Sequence, residues 1–334
     1  MATPGATPVA ERMASDILAA LPGAPVRVNE ALGALAHAWS AEGEQAVRAS
    51  QMNLVLMLGA GVGPEEAAGI FEQAQAFARR YPCRLVVLVR RDSGEDGLPP
   101  EAKAHVACFL DTARRDKRCC EALMLAHGPH TLQLQSLVST WLEADLPAYL
   151  WCHRVDAAET RPWLALAPRF TRVIADRSTD GDAFFALPWP RPESVRDLSV
   201  ARCLPVRQAL GQFLSSHAPA DLVRGLRSVT VSHGVGRAGE ARGLLDWMRG
   251  CLKSCADVSR LPLAAEFAVN PSCAAGSCIA VEWTYDNGNH FAWEHADQGV
   301  RASVALDYAT SHQSFALAVP FLAPETALGE ALFF

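Results

Sequence analysis

No apolar run approaches 20 residues, so a membrane-spanning helix is not expected. Basic residues are not in excess: 30 Lys and Arg stand against 36 Asp and Glu, a net charge of -6. That balance argues against a nucleic-acid partner, whose phosphates need clustered Lys and Arg. The chain also lacks the low hydrophobicity and high net charge of a disordered protein, being 50% hydrophobic and 20% charged. Residues 1–10 (MATPGATPVA) lack the charged start and apolar stretch of an export signal, and Glu11, Arg12 and Asp16 interrupt any such run. A cytoplasmic location is expected. No G-x-S-x-G nucleophile elbow occurs, nor the C-x2-C spacing that zinc favours.

The length, 334 residues, suits about two domains and a substantial core. Ten cysteines are present, at 83, 108, 119, 120, 152, 203, 251, 255, 273 and 278. Without an export signal they are expected to be reduced thiols, most of them small core residues. The nearest approaches to metal spacing are Cys251-x3-Cys255 and Cys273-x4-Cys278; neither is a zinc pattern, and no metal or cofactor is expected.

Residues 1–25, rich in Ala, Pro, Thr and Gly around a short helix from Val9 to Leu21, read as a flexible arm. From there elements alternate. NLVLML (53–58) is a buried strand, Pro64–Arg80 a helix, and RLVVLV (84–89) a second buried strand, a unit that implies a right-handed crossover and parallel pairing. His105–Leu110 and Cys119–Ala126 flank TARRDKR as a hairpin. A helix at Thr131–Glu143 and strands at 147–151 and 171–175 complete a mixed, largely parallel sheet covered on both faces. ALPWPRPESVR (186–196) carries three prolines and no periodicity, which puts the domain boundary there: 26–188 and 189–334. The second domain opens with a helix at 198–215, then a strand at 228–232 and a helix at 239–253. Its later strands alternate apolar and polar residues, as in a mostly antiparallel sheet with one helix-packed face. The class is therefore α/β, with α+β character in the C-terminal half.

Two glycine loops invite a functional reading. Gly59-Ala-Gly61-Val-Gly63 lies between a strand and a helix, where helix amides favour anions, and Arg90 or Arg91 ends the next strand where the 2′-phosphate of NADP would lie. Its spacing is nevertheless G-x-G-x-G. Gly234-Val-Gly236-Arg-Ala-Gly239 has the dinucleotide spacing, but no prompt parallel strand follows its helix. Both loops read first as tight turns, with an NADP site at Gly59, Gly61, Gly63 and Arg90 as the alternative. His127 and His130 have no paired carboxylate nearby in sequence. His290 and His295 are five apart, on opposite faces of a strand, and Cys152 and His153 point apart. No catalytic constellation assembles, which favours a binding or assembly role.

The stretch LQLQSLVSTWLEADLPAYLWC resembles the central signature of the OpcA family of glucose-6-phosphate dehydrogenase assembly proteins. Ser136, Leu137 and Val138 lie on its helix; Asp145, Leu146 and Pro147 lead into the strand that ends in Trp151. Arg84 in YPCRLVVLVRR, Asp176 in FTRVIADRS, and Asp197, Arg202 and Arg207 in DLSVARCLPVRQAL are similar to the flanking motifs. Cys152 stands where the family often has a second Trp, and Val200 and Val206 where tryptophans are usual. The resemblance spans roughly residues 45–250. It implies a non-catalytic protein that binds glucose-6-phosphate dehydrogenase, promotes its active oligomer and raises its activity at the entry to the oxidative pentose-phosphate pathway. It also raises thioredoxin-type thiol control, though no cysteine falls in a shared motif. Residues 136–151 are expected to build core, and the partner contacts to lie in 111–118, 152–161 and 186–197.

Overall fold

The structure, a computed structural model, describes residues 16–41, 46–47, 50–91, 100–111, 116–128, 131–272, 279–296, 301–308 and 311–334. The chain divides into two compact units, residues 1–196 with 328–334, and residues 197–327. Both combine a sheet with helices, so the class is α/β.

The first unit is organised on nine strands: β1 (Ala24–Val26), β2 (Ala46–Val47), β3 (Met52–Leu58), β4 (Cys83–Arg90), β5 (Glu101–Asp111), β6 (Asp116–His127), β7 (Ala148–His153), β8 (Arg172–Ala175) and β9 (Val195–Asp197). Their order is β1-β5-β6-β4-β3-β7-β8-β9, with β2 beside β6. The central run β6-β4-β3-β7-β8 is parallel. All seven residues of β3 are buried, as a strand covered on both faces must be. Helix Pro64–Arg80 makes the crossover from β3 to β4, with Pro64 in its first turn and Ala67, Ile70, Phe71, Ala74 and Phe77 buried. β5 and β6 form the expected antiparallel hairpin. Arg114 and Arg115 in its turn lie outside the described residues.

Three expectations are corrected here. Residues 16–26 are not an arm: Ile17, Leu18 and Leu21 are buried, Lys103 Nζ donates to the carbonyls of Leu18 and Leu21, and β1 pairs with β5. Three apolar side chains and an open strand edge supply the reason, since both gain by covering each other. Nor does the first unit end at 188. Trp189 is buried, its Nε1 donates to Phe184 O at 3.0 Å, and Arg191 Nη2 donates to Phe170 O at 2.5 Å. The division between units accordingly lies after Arg196 rather than at 188. Finally, not every thiol is free. Cys108 and Cys119 face each other across β5 and β6 and are joined as a disulfide. Cys83, Cys120, Cys152 and Cys203 are buried free thiols. Cys273 and Cys278 lie outside the described residues, as do residues 1–15.

The second unit carries six strands, β10 (Leu226–His233), β11 (Glu266–Asn270), β12 (Ile279–Tyr285), β13 (His290–Ala296), β14 (Arg301–Tyr308) and β15 (Ser311–Ala318), in the order β11-β10-β12-β13-β14-β15. From β10 through β12 to β15 the pairing is antiparallel. Along β12, Ile279, Val281, Trp283 and Tyr285 are buried while the residues between them are not. Their core partners include Val206 and Leu210 from helix Leu204–Leu214, and Leu244 and Met248 from helix Ala238–Ser259. The single helix expected over 198–215 is two, Leu198–Arg202 and Leu204–Leu214. Pro205 lies in the first turn of the second, where its missing N–H costs least.

One further correction concerns β11, which pairs parallel to β10. The second glycine loop therefore does sit in a strand–helix–parallel-strand unit. β11 is an edge strand of alternating exposed and half-buried residues, and such alternation is the same in parallel and antiparallel edges. The last helix, Pro324–Phe333, ends the chain. Phe333 lies 4.8 Å from Tyr81, ring centre to ring centre, and Arg172 Nη1 donates to Ala331 O at 3.1 Å. These contacts attach residues 328–334 to the first unit.

Candidate functional site

In a parallel sheet ligands collect at the carboxyl ends of strands, near the point where the chain reverses its direction of travel across the sheet. In the first unit β4 lies on one side of β3 and β7 on the other, so the reversal is at β3. The carboxyl ends there present the 59–63 loop after β3, Arg90 at the end of β4, His127 at the end of β6, and His153 at the end of β7.

The loop is closed by the chain itself. Gly59 N donates to His153 O at 3.0 Å, and a Cβ at Gly59 would stand 1.8 Å from Arg154 O. No other residue fits at 59. By contrast a Cβ at Gly61 or Gly63 meets nothing within 4 Å. Arg154 itself adopts left-handed backbone, φ 51°. Glu159 reaches into the loop, its Oε1 accepting from Ala60 N at 3.3 Å and lying 3.2 Å from Arg90 Nη1. Its Oε2 accepts from Asp156 N at 3.2 Å, while Glu159 N donates to Asp156 Oδ1 at 2.7 Å. This reciprocal capping box starts the short helix Ala157–Thr160. Glu66 Oε1, from the first turn of helix Pro64–Arg80, takes His153 Nε2 at 2.9 Å and Arg154 Nε at 2.7 Å. A phosphate in this loop would meet three carboxylates, Glu65 and Glu66 in the helix's first turn and Glu159, where a dinucleotide fold offers bare amides. Arg90 is already paired. This geometry speaks against the NADP reading of Gly59, Gly61, Gly63 and Arg90.

Burial governs the titration of this edge. It pushes the His153 imidazole down, with Glu66 opposing. It pushes the Glu159 carboxyl up, against the Asp156 amide and Arg90. Asp180 accepts from Val155 N and Asp176 N, each at 2.8 Å; burial raises it to about 7. Asp176 accepts from Ser178 N and caps helix Arg177–Phe185. His127 is buried, and desolvation lowers it to about 4. Its Nδ1 lies 2.8 Å from Gly128 O, and among the described residues its Nε2 has no hydrogen-bond partner. Beside it is a cavity of about 80 Å³ lined by Met57, Arg90, His127, Leu134, Glu159 and Trp163 among others.

The signature residues are elsewhere, in the core and at the amino edge of the same sheet. Arg84 Nε meets Glu121 Oε1 at 2.5 Å and its Nη2 meets Glu143 Oε1 at 2.5 Å. Its Nη1 donates to Trp141 O at 3.0 Å, and Trp39 Nε1 donates to Glu121 Oε2 at 2.6 Å. Asn53 completes the brace: its amide donates to Glu143 O and Leu146 O and accepts from Glu143 N. The brace fixes the turn through Asp145, Leu146 and Pro147, and Pro147 O accepts from Asn53 N. Val138, Trp141 and Trp151 are buried, with Leu137 packed on the core and Asp145 exposed. Ser136 lies on helix Thr131–Trp141. In the second unit Asp197 caps helix Leu198–Arg202 through Ser199 N at 3.0 Å.

The second glycine loop repeats the closure by another route. Gly236 has φ 75°. Fully buried Glu240, in the first turn of helix Ala238–Ser259, takes Arg202 Nε at 3.0 Å and Arg237 Nη1 at 2.9 Å. Arg207 lies close enough to Cys203 to bear on its thiol, as do Arg202 and Arg237. His295 is buried against Val319 O, while His290 pairs with Glu282. Among the described residues no group of three metal-binding side chains comes together.

Residues 74–188 match the model of the glucose-6-phosphate dehydrogenase subunit N-terminal domain. The matched model is that of the OpcA family of assembly proteins, and the match bears out the resemblance read from Arg84, Ser136 to Trp151 and Asp176, all inside it. The matched stretch covers about a third of the chain and includes Arg90, His127 and Glu159 of the carboxyl edge. No curated protein matches the chain. Among solved structures it is similar to the putative oxidoreductase yvaA from Bacillus subtilis, with 8% identity, 82% of this chain and 86% of that one covered, and TM-score 0.39. It is also similar to KijD10, a 3-ketoreductase from Actinomadura kijaniata, with 11% identity, 84% and 88% covered, and TM-score 0.40.

Glu159 and Glu66 were not singled out from the sequence. Asp156-x-x-Glu159 is a capping-box signal, but it announces a helix start and not a reach across 99 residues to Ala60.

Proposed function

We propose that the chain is a non-catalytic subunit that binds glucose-6-phosphate dehydrogenase and promotes its active oligomer in the oxidative pentose-phosphate pathway of the cytoplasm. The observation that carries this reading is the match of residues 74–188 to that enzyme's subunit domain. It is supported by the state of both glycine loops, each of which meets a carboxylate of the chain itself. An activator must bind the active state of its partner more tightly than the inactive one, and a tenfold shift needs about 1.4 kcal/mol of such difference. Exposed residues of 152–161 and 186–197, such as Arg154, Asp156, Arg191 and Glu193, are the proposed contacts together with 111–118.

The test mixes the purified protein with glucose-6-phosphate dehydrogenase from the same cell and records velocity across substrate concentration, with size-exclusion elution in parallel. A co-eluting complex with raised velocity is expected. No complex and no change of velocity, under reducing and oxidising conditions alike, would remove the proposal. Thiol control is part of the same reading, with Cys108–Cys119 and the more accessible Cys251 and Cys255 as its sulfurs. It predicts that activation differs between the oxidised and reduced protein.

A further inference from the structure

We propose that a cavity in the second unit binds a neutral, flat aromatic molecule of about two fused rings. The cavity measures about 300 Å³ and is lined from helices Leu204–Leu214, Pro219–Val223 and Ala238–Ser259, with Trp283 of β12 in its wall. Among the described residues, no Asp, Glu, Lys or Arg lines it. An ion entering would lose hydration and meet no opposite charge, so the ligand is neutral. Trp247 and Trp283 line the cavity together with three sulfur side chains, Met248, Cys251 and Cys255. Rings stack offset or edge-on against indoles, and sulfur packs well at ring edges. An aliphatic chain gains only its buried area from the same walls. Size sets the number of rings: an apolar cavity of about 150 Å³ takes benzene, and this one has about twice that volume.

The walls are set in place by the fold. Tyr285 Oη donates to Leu222 O at 3.1 Å, which ties helix Pro219–Val223 to β12. Trp283 packs on Phe291, ring centres 5.2 Å apart. A Cβ built at Gly211 would lie 3.8 Å from the Trp247 ring, so the glycine leaves that ring uncovered. A preformed pocket lowers the cost of binding. Leu214, Leu222, Met248, Leu252 and Trp283 are buried, whereas Trp247 is half-buried and Cys251 exposed, which marks the open side. Beside Cys251 the exposed residues are Arg249, Gly250, Lys253 and Ser254. A protein partner would need a broad apolar patch around the opening, and these residues supply none. A small molecule needs only the cavity. The inference rests on no part of the assembly reading.

The experiment titrates the full-length protein by calorimetry with 1-naphthol and indole, against octan-1-ol (aliphatic) and 1-naphthoate (charged). The rate of Cys251 alkylation by iodoacetamide, read by mass spectrometry, locates the ligand on the native chain. Gly211→Leu and Cys251→Phe narrow the cavity from two different helices, and thermal unfolding shows which variant is folded. The expected result is saturable 1-naphthol binding that slows Cys251 alkylation. It should be at least tenfold weaker for octan-1-ol, for 1-naphthoate and in a folded variant. No saturable binding, or binding that leaves Cys251 alkylation and the affinity of a folded variant unchanged, overturns the proposal. So does equal or tighter binding of octan-1-ol, which would make the cavity an acyl-chain site. Alkylation slowed by added glucose-6-phosphate dehydrogenase and not by 1-naphthol would also overturn it, and would make this face a protein contact.

Discussion

The two glycine loops each join a strand to a helix, one in each unit, and are closed by different means. At 59–63 the closing carboxylate is Glu159, 99 residues away in sequence, and the turn is pinned by backbone, Gly59 N to His153 O. At 234–239 the carboxylate is Glu240 of the same helix, held by Arg202 and Arg237. A strand–loop–helix unit leaves amides and a positive helix end that need an anion. Here the first unit brings Glu159 to the Ala60 amide, and the second places Glu240 in the first turn of its own helix. The difference lies in what surrounds it. Glu240 is wholly buried between two arginines, whereas Glu159 borders a cavity with an unmatched imidazole nitrogen. The second loop is a closed structural joint; the carboxylate that closes the first also lines a small cavity.

The largest effects should come from breaking the closures. Glu240→Gln leaves Arg202 and Arg237 without their buried partner, and a loss of about 3–5 kcal/mol of stability is expected by denaturant unfolding. Glu159→Gln keeps the capping geometry and faces one arginine with some solvent access, so about 1–2 kcal/mol is expected. Equal losses would undo the distinction between the loops. Gly59→Ala belongs with the severe changes, because its Cβ meets backbone and not a side chain that can turn away; a loss of about 3 kcal/mol or more should show in the melting temperature.

Acid tests the first unit next. His127 has its folded pKa lowered from 6.5 to about 4. The stability this contributes is fully present above pH 6.5 and is lost as pH falls through 4, roughly 3 kcal/mol in all. Asp180 runs the other way: raised to about 7, it contributes stability below about pH 4 that is lost as pH rises through 7. Unfolding at pH 7 and 4.5 should therefore differ little in the native chain, and His127→Gln, which keeps only the Asp180 contribution, should be more stable at pH 4.5 than at pH 7. A pH dependence in that variant equal to the native chain's would show that His127 is solvated. Reducing Cys108–Cys119, which closes a sequence separation of 11 on one hairpin, should cost about 2–3 kcal/mol.

How far the sequence revealed this depends on how local each feature is. The central strands were legible because NLVLML and RLVVLV are continuous apolar runs of strand length, which only a doubly covered sheet requires. The antiparallel sheet of the second unit was legible from alternation. β1, β9 and the pairing sense of β11 were not: three-residue strands carry no period, and an edge strand does not encode its neighbour's direction. The N-terminal segment misled because its composition is loop-like while three apolar residues, Ile17, Leu18 and Leu21, decide its fate. At the site, the glycines and Arg90 were visible and their partners were not. Glu66, His153 and Glu159 come together through sheet order, which no spacing in the chain displays.

The smallest prediction tests the loop comparison at single glycines. Gly61 has open space around its Cβ position and no left-handed requirement, so Gly61→Ala should leave stability unchanged or raise it by about 0.5 kcal/mol through the unfolded chain. Gly236 also has open space, but its φ of 75° penalises any side chain, and Gly236→Ala should lose about 1 kcal/mol. Gly61→Asp is the sharper version, because it adds charge without a clash. If the first loop bound NADP, this change would abolish binding; in a loop already met by Glu159 it removes nothing, and calorimetry should find no NADP affinity to lose. Tight NADP binding by the native chain, abolished by Gly61→Asp, would reverse that conclusion and make Glu159 a gate the nucleotide displaces.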